Sequence, residues 1–63
     1  MLPIVEIGWS YRNIKTQDVY RVIAIARHSE TEEVMVVYQK VDSPETQTWV
    51  RPIELFKKKF EMP

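Results

Sequence analysis

Apolar and polar positions alternate with a period of two over most of this chain, and the strongest such stretch runs from Val19 to Lys40. Val-Tyr-Arg-Val-Ile-Ala-Ile-Ala-Arg and Val-Met-Val-Val-Tyr-Gln-Lys flank a polar link, His28 to Glu33. Two β-rich apolar runs around a short polar link predict an antiparallel hairpin. In its first arm Tyr20, Val22, Ala24 and Ala26 share one face. Val19, Ile23 and Ile25 share the other with Arg21 and Arg27. Both faces are apolar in the middle, which suits a central strand that bends and turns a different face to the core in each half. The return arm, Val34 to Val41, sets Val34, Val36 and Tyr38 against Met35, Val37 and Gln39.

The flanks add shorter elements. Leu2 to Ile7 is apolar apart from Pro3 and Glu6, and Pro3 removes a ladder donor, so this is an edge strand or an extended arm. Gly8 breaks it before a half-buried strand, Trp9 to Asn13, with Trp9 and Tyr11 on one face and Ser10 and Arg12 on the other. Asn13 to Asp18 is a polar link suited to a compact turn closed by Asn13, Thr16 or Asp18 side chains. Asp42-Ser43-Pro44-Glu45 is a second turn, with Pro44 suited to a central turn position. A strand from Thr46 to Arg51 follows, with Thr46, Thr48 and Val50 opposite Gln47, Trp49 and Arg51. Pro52 stops it and fits the start of a helix. Ile53, Phe56 and Phe60 recur at helical spacing, which leaves two options: one helix from Pro52 to Phe60, or a single turn from Pro52 to Phe56 and a last strand from Lys57. The expected fold is mostly β, a strongly bent antiparallel sheet or partly open barrel of four to five strands with one short helical turn. An SH3-like barrel is the leading architecture by association with such barrels.

Composition narrows the function more than the fold. With 63 residues the chain is one domain with one small core and a net stability of about 3–5 kcal/mol. It has no cysteine, hence no disulfide or thiolate metal site. Nine Lys and Arg balance nine Asp and Glu. Proteins that grip phosphate backbones carry excess positive charge, so nucleic acid is not favoured as a partner. Zero net charge removes self-repulsion and leaves self-association open. No apolar run is long enough to span a membrane, and the first residues lack the pattern of a signal peptide. The expectation is a cytoplasmic protein without cofactor or metal, and without a membrane partner.

Three groups of residues bear on chemistry. Arg27, His28, Ser29 and Glu30 place a base, a hydroxyl and a carboxylate at the hairpin tip. Neighbours on an extended strand point to opposite faces, and no Gly-x-Ser-x-Gly elbow is present, so these residues are read as turn closure rather than catalysis. Ser29 and Thr31 are expected to close the turn, and Arg27 to pair with Glu30 or Glu54. His28 with Glu30, Glu32 and Glu33 reads as a solvated acidic turn rather than a metal site. Trp49 and Arg51 share a strand face. Trp49 is expected at the core or its margin, with a shallow groove as the sharper reading, in which Trp49 stacks and Arg51 offers its fork to a carboxylate or phosphate. The Lys57-Lys58-Lys59 run reads as a solvated face.

Ala26-Arg27-His28-Ser29-Glu30-Thr31, Val36-Val37-Tyr38 and Trp49-Val50-Arg51-Pro52, with Tyr11-Arg12, Tyr20 and Phe56, resemble the signature of a family of small bacterial proteins, the domain of unknown function numbered sixteen fifty-three. The resemblance covers roughly residues 9 to 60. It departs in the first loop, where relatives carry His-Tyr-Lys-Gly and this chain has Asn13-Ile14-Lys15-Thr16. It implies a bacterial source and a compact β-rich domain, and brings no chemistry.

The chain is therefore expected to be a non-catalytic interaction module that binds a peptide, a protein partner or itself. Its expected ligand-binding residues are Arg27, His28, Ser29, Glu30, Tyr38, Trp49 and Arg51. Single-stranded RNA held by exposed aromatics near Arg12, Lys15 and Arg21 is the alternative.

Overall fold

The computed structural model describes residues 1–43, 45 and 47–63. Among them, five strands form one antiparallel sheet: β1 (Ser10–Asn13), β2 (Val19–Arg27), β3 (Val34–Lys40), β4 (Thr48–Pro52) and β5 (Phe60–Glu61). One helix, α1 (Ile53–Lys59), joins β4 to β5. The strand order is β4-β3-β2-β1-β5, so three successive hairpins build the sheet and the last strand returns to pair with β1 at the far side. The sheet does not close: β4 and β5 remain its two edges.

The expected bend in the central strand is a β-bulge. Val22 lies opposite Tyr38 and Ala24 opposite Val37, leaving Ile23 as the extra residue. Beyond the bulge the alternation is reversed: Tyr20 and Val22 face inward before it and Ile25, opposite the buried Val36, after it. The double-sided apolar pattern of this strand thus records a change of face rather than burial on both sides.

Both open options for the C-terminal stretch are partly realised. The helix runs past Phe56 to Lys59, and the last strand begins at Phe60 instead of Lys57. Pro52 ends β4 and caps the helix, a position where its missing N–H leaves nothing unpaired. Lys57, Lys58 and Lys59 occupy the last helical turn, where cations complement the exposed carbonyls. The beginning of the predicted fourth strand differs as well, since β4 starts at Thr48. Pro44 and Thr46, assigned above to the second turn and to that strand, lie outside the described residues.

Leu2, Val5, Tyr11, Val22, Val36, Tyr38, Phe56 and Phe60 form the core, with Tyr20, Ile25 and Ile53 packed against it. The N-terminal segment is the arm rather than a strand. Its Leu2 N–H donates to the Lys57 carbonyl at 2.9 Å, and its Glu6 N–H donates to the Tyr11 hydroxyl at 2.9 Å. Trp9 departs from expectation: Tyr11 is fully buried but Trp9 is 52% exposed. Gly8, at φ +90°, turns the chain there, and Leu2 and Val5 enter the core in place of the indole.

Five aromatic rings dominate this core. Phe56 and Phe60 stack at 4.0 Å with an interplanar angle of 6°, and Tyr38 meets both edge-on at 5.1 and 5.4 Å. Tyr20 joins Tyr38 and Phe60, and Tyr11 joins Phe56. Truncating a buried Phe costs about 3–5 kcal/mol, as much as the whole stability of about 3–5 kcal/mol expected for this size. Phe56→Ala should therefore be largely unfolded at 25 °C by circular dichroism, whereas Trp49→Ala should keep a cooperative thermal transition.

Candidate functional site

The hairpin tip is a self-contained turn. His28 N–H donates to the Glu33 carbonyl at 2.8 Å, and Glu32 N–H to the His28 carbonyl at 2.9 Å. The His28 ring nitrogen Nδ1 accepts the Glu30 and Thr31 N–H groups at 3.1 and 3.3 Å, so the ring serves as a backbone cap. Thr31 Oγ1 accepts the Glu33 N–H at 3.2 Å. Among the described residues, His28 and Thr31 therefore close the turn, and the role expected of Ser29 falls to the histidine. Arg27 Nη1 donates to the Glu32 carbonyl at 3.3 Å, in place of the expected pairing with Glu30 or Glu54. No group of three or more His, Cys, Asp or Glu among the described residues is placed to hold a metal ion.

Tyr38, Trp49 and Arg51 come together on a different part of the molecule. Tyr38 pairs with Trp49 and Val36 with Arg51 across β3 and β4, so all of these side chains share the inner face. Tyr38 is buried, while Trp49 is 44% exposed, well outside the core position expected of it. The Arg51 guanidinium lies 5.6 Å from the centroid of the Phe60 ring, a cation–π contact that fixes its direction. Burial pushes the Tyr38 hydroxyl above its usual pKa, an effect that the adjacent Arg51 partly offsets. None of Arg27, His28, Ser29 and Glu30 joins this group: they sit at the tip, beyond the pairing of Arg27 with Val34.

Arg51 also forms one wall of a cavity of about 370 Å³, whose other walls are Asn13, Ile14, Lys15, Thr16, Lys58 and Lys59. Several bonds hold these walls in place. Asn13 Oδ1 accepts the Lys15 and Thr16 N–H groups at 2.9 and 3.1 Å, folding the β1–β2 link into a compact turn. The Ile14 N–H donates to the Lys59 carbonyl at 3.0 Å and ties that turn to the end of α1. Arg12 pairs with Glu61 at 2.8 Å and clamps β1 to β5. This occupies the carboxylate next to Phe60, and no acidic side chain lines the cavity. Four cationic side chains thus surround an acid-free space between β4, the β1–β2 turn and the end of α1. Sequence reasoning named Arg51 and Lys15, but missed Asn13, Ile14, Thr16, Lys58 and Lys59 as a group. No linear signal joins them, because only the pairing of β5 with β1 brings the lysine run to the first loop.

These features define a small, mostly β, open-sheet domain with a basic cavity at its gap. A family model described as "Protein of unknown function (DUF1653)" matches residues 10–63. The chain belongs to that family, the one whose number the resemblance above gives. No curated protein and no solved structure matches it. No helix among the described residues is long and apolar enough to cross a membrane.

Two outcomes check this account. Removing the His28 cap leaves two exposed amide donors to water, so His28→Ala should cost about 1 kcal/mol in a urea unfolding curve, the net worth of the lost bonds, while Ser29→Ala should cost almost nothing. The raised pKa of Tyr38 means that the native state keeps its proton longer than the unfolded chain does. Its contribution is complete below pH of about 10, the ordinary tyrosine value, and is lost as pH rises through the higher folded value. The urea midpoint should fall more steeply between mildly and strongly alkaline pH in the native protein than in Tyr38→Phe.

Proposed function

We propose that this chain is a non-catalytic cytoplasmic interaction module that holds an anionic group of its partner in the cavity between β4, the β1–β2 turn and the end of α1. The observation that carries the reading is the wall composition: Lys15, Arg51, Lys58 and Lys59 with no carboxylate among them. Unopposed cations around a partly enclosed space attract an anion more strongly than the same charges spread over open surface. Arg51 is held over Phe60 and can meet a carboxylate or phosphate as a planar fork, while the lysines act as mobile point charges. The site expected from the sequence contributes Arg51, with Trp49 beside it on the strand. The hairpin tip supports the non-catalytic reading, since its histidine is engaged as a turn cap.

Nucleic acid is the second reading, favoured by the exposed Trp49 on the same strand face as Arg51. Citrate, followed by amide shifts in nuclear magnetic resonance spectra, tests the cavity itself. Shifts should concentrate at 13–16, 51 and 58–59. Two partly exposed cations contribute roughly 0.5–1 kcal/mol each, so Lys58→Gln/Lys59→Gln should weaken binding about tenfold. Unshifted amides, or equal binding by the double variant, would remove the proposal.

A further inference from the structure

We propose that the partner is an extended acidic peptide segment that adds as a sixth strand along the free edge of β4; this rests on the anion-binding reading of the cavity and names the ligand for it. Thr48–Pro52 pairs with β3 along one side, and among the described residues no other strand or backbone group bonds to it. An open edge of this kind is a template for main-chain pairing, and peptides use such edges for recognition. The edge is protected at one end only. Arg51 and Pro52 stand at its C-terminal end, but its central residues are Trp49, 44% exposed, and Val50, 60% exposed, and no bulge interrupts it. The other edge, β5, is two residues long and offers little to pair with.

The two faces of β4 dictate what the added strand must carry. The inner face presents Trp49 and Arg51, and Arg51 opens onto the cavity with Lys15, Lys58 and Lys59. Side chains of the ligand directed there should be acidic, because opposite charges across a strand pair attract. The outer face presents Val50 in one row with Val37 and Ala24, next to the exposed Ile23. Side chains directed there should be apolar and β-branched. The ligand is therefore a segment in which Glu or Asp alternates with residues such as Val or Ile. RNA fits less well: Trp9 and Trp49 are exposed, but Tyr11, Tyr20, Tyr38, Phe56 and Phe60 are packed against one another in or beside the core, so Trp49 is left as a single ring beside Arg51 rather than one of a row on which successive bases could stack.

The test uses the full chain and four probes: an N-acetylated hexapeptide alternating Glu and Val, the same peptide with Lys for Glu, the acidic peptide N-methylated at two adjacent central residues, and octauridylate. Methylating neighbours removes a donor from each edge of the peptide and leaves its charge unchanged. The expected result is saturable binding of the acidic peptide, with amide shifts and slowed hydrogen exchange at 48–51. Binding should be at least tenfold weaker for the Lys peptide, the methylated peptide and octauridylate, and for the acidic peptide on Lys58→Gln/Lys59→Gln. Equal binding of the methylated peptide would overturn strand addition while leaving the anion site standing. Absence of binding by both the acidic peptide and citrate would overturn both. Tighter binding of octauridylate would assign the site to nucleic acid. A dimer in light scattering, with β4 amides already protected before peptide is added, would assign the edge to a second copy of the chain.

Discussion

The stacked pair of Phe56 and Phe60 is the contact on which the rest of this domain depends. A strand of two residues has too few ladder bonds to hold itself in place, and β5 is such a strand. Phe60 compensates by inserting its ring among Phe56, Tyr20 and Tyr38, while its backbone pairs with Asn13. The helix is fixed through the same contact, because Phe56 is its one fully buried side chain. Edge-on and offset aromatic pairs each contribute about 0.5–1.5 kcal/mol beyond the area they bury. For a chain with no disulfide and so little core, a connected set of such pairs decides whether the ends stay attached. The candidate site inherits its geometry from that attachment. Arg51 is aimed by Phe60, and Lys58 and Lys59 stand directly before it in the chain.

Much of the frame was legible because it depends on local pattern. The β2–β3 hairpin follows from two β-rich runs and a polar link. The stop at Pro52 follows from the chemistry of its ring. Even the bulge left a trace, since a strand that is apolar on both faces yet has only one face to bury must change face along its length. What stayed hidden depends on contacts between distant segments. Trp9 looked like a core residue by alternation, but the core already receives Leu2 and Val5 through the turn at Gly8. Trp49 was expected at the core or its margin because aromatic rings dominate small cores, yet it sits on an edge strand with no further strand beside it among the described residues. Turn closure at the tip was legible, but it was assigned to Ser29 and Thr31, and the part His28 takes in it is defined by two backbone amides that no composition reveals.

The charge balance says nothing of where the charges lie. A net charge of zero lowers the expectation of an anionic partner only if the charges are mixed. Most are mixed here, as in the Arg12–Glu61 and Lys40–Asp18 pairs, but one group of cations is not. Glu30, Glu32 and Glu33 are exposed at the tip that follows β2, while Lys15 lies in the turn that precedes β2 and Lys58 and Lys59 meet that turn. The molecule is neutral as a whole and strongly basic in one place. A local group of this kind attracts a charged partner at short range even where the net charge is zero.

The open sheet gives this group its meaning. Small β domains usually remove their edges by closure, by short terminal strands or by charged residues placed along the rim. This chain treats its two edges differently. The β5 edge is cut to two residues and clamped by the Arg12–Glu61 ion pair. The β4 edge keeps five residues, displays Trp49 and Val50, and ends at a cavity lined by cations. Closing the sheet would have removed both the free ladder and the space beside Arg51. An open edge is a template for pairing rather than a loss of stability, and the proposed acidic strand would pair its backbone with β4 and its carboxylates with the cations in one set of contacts.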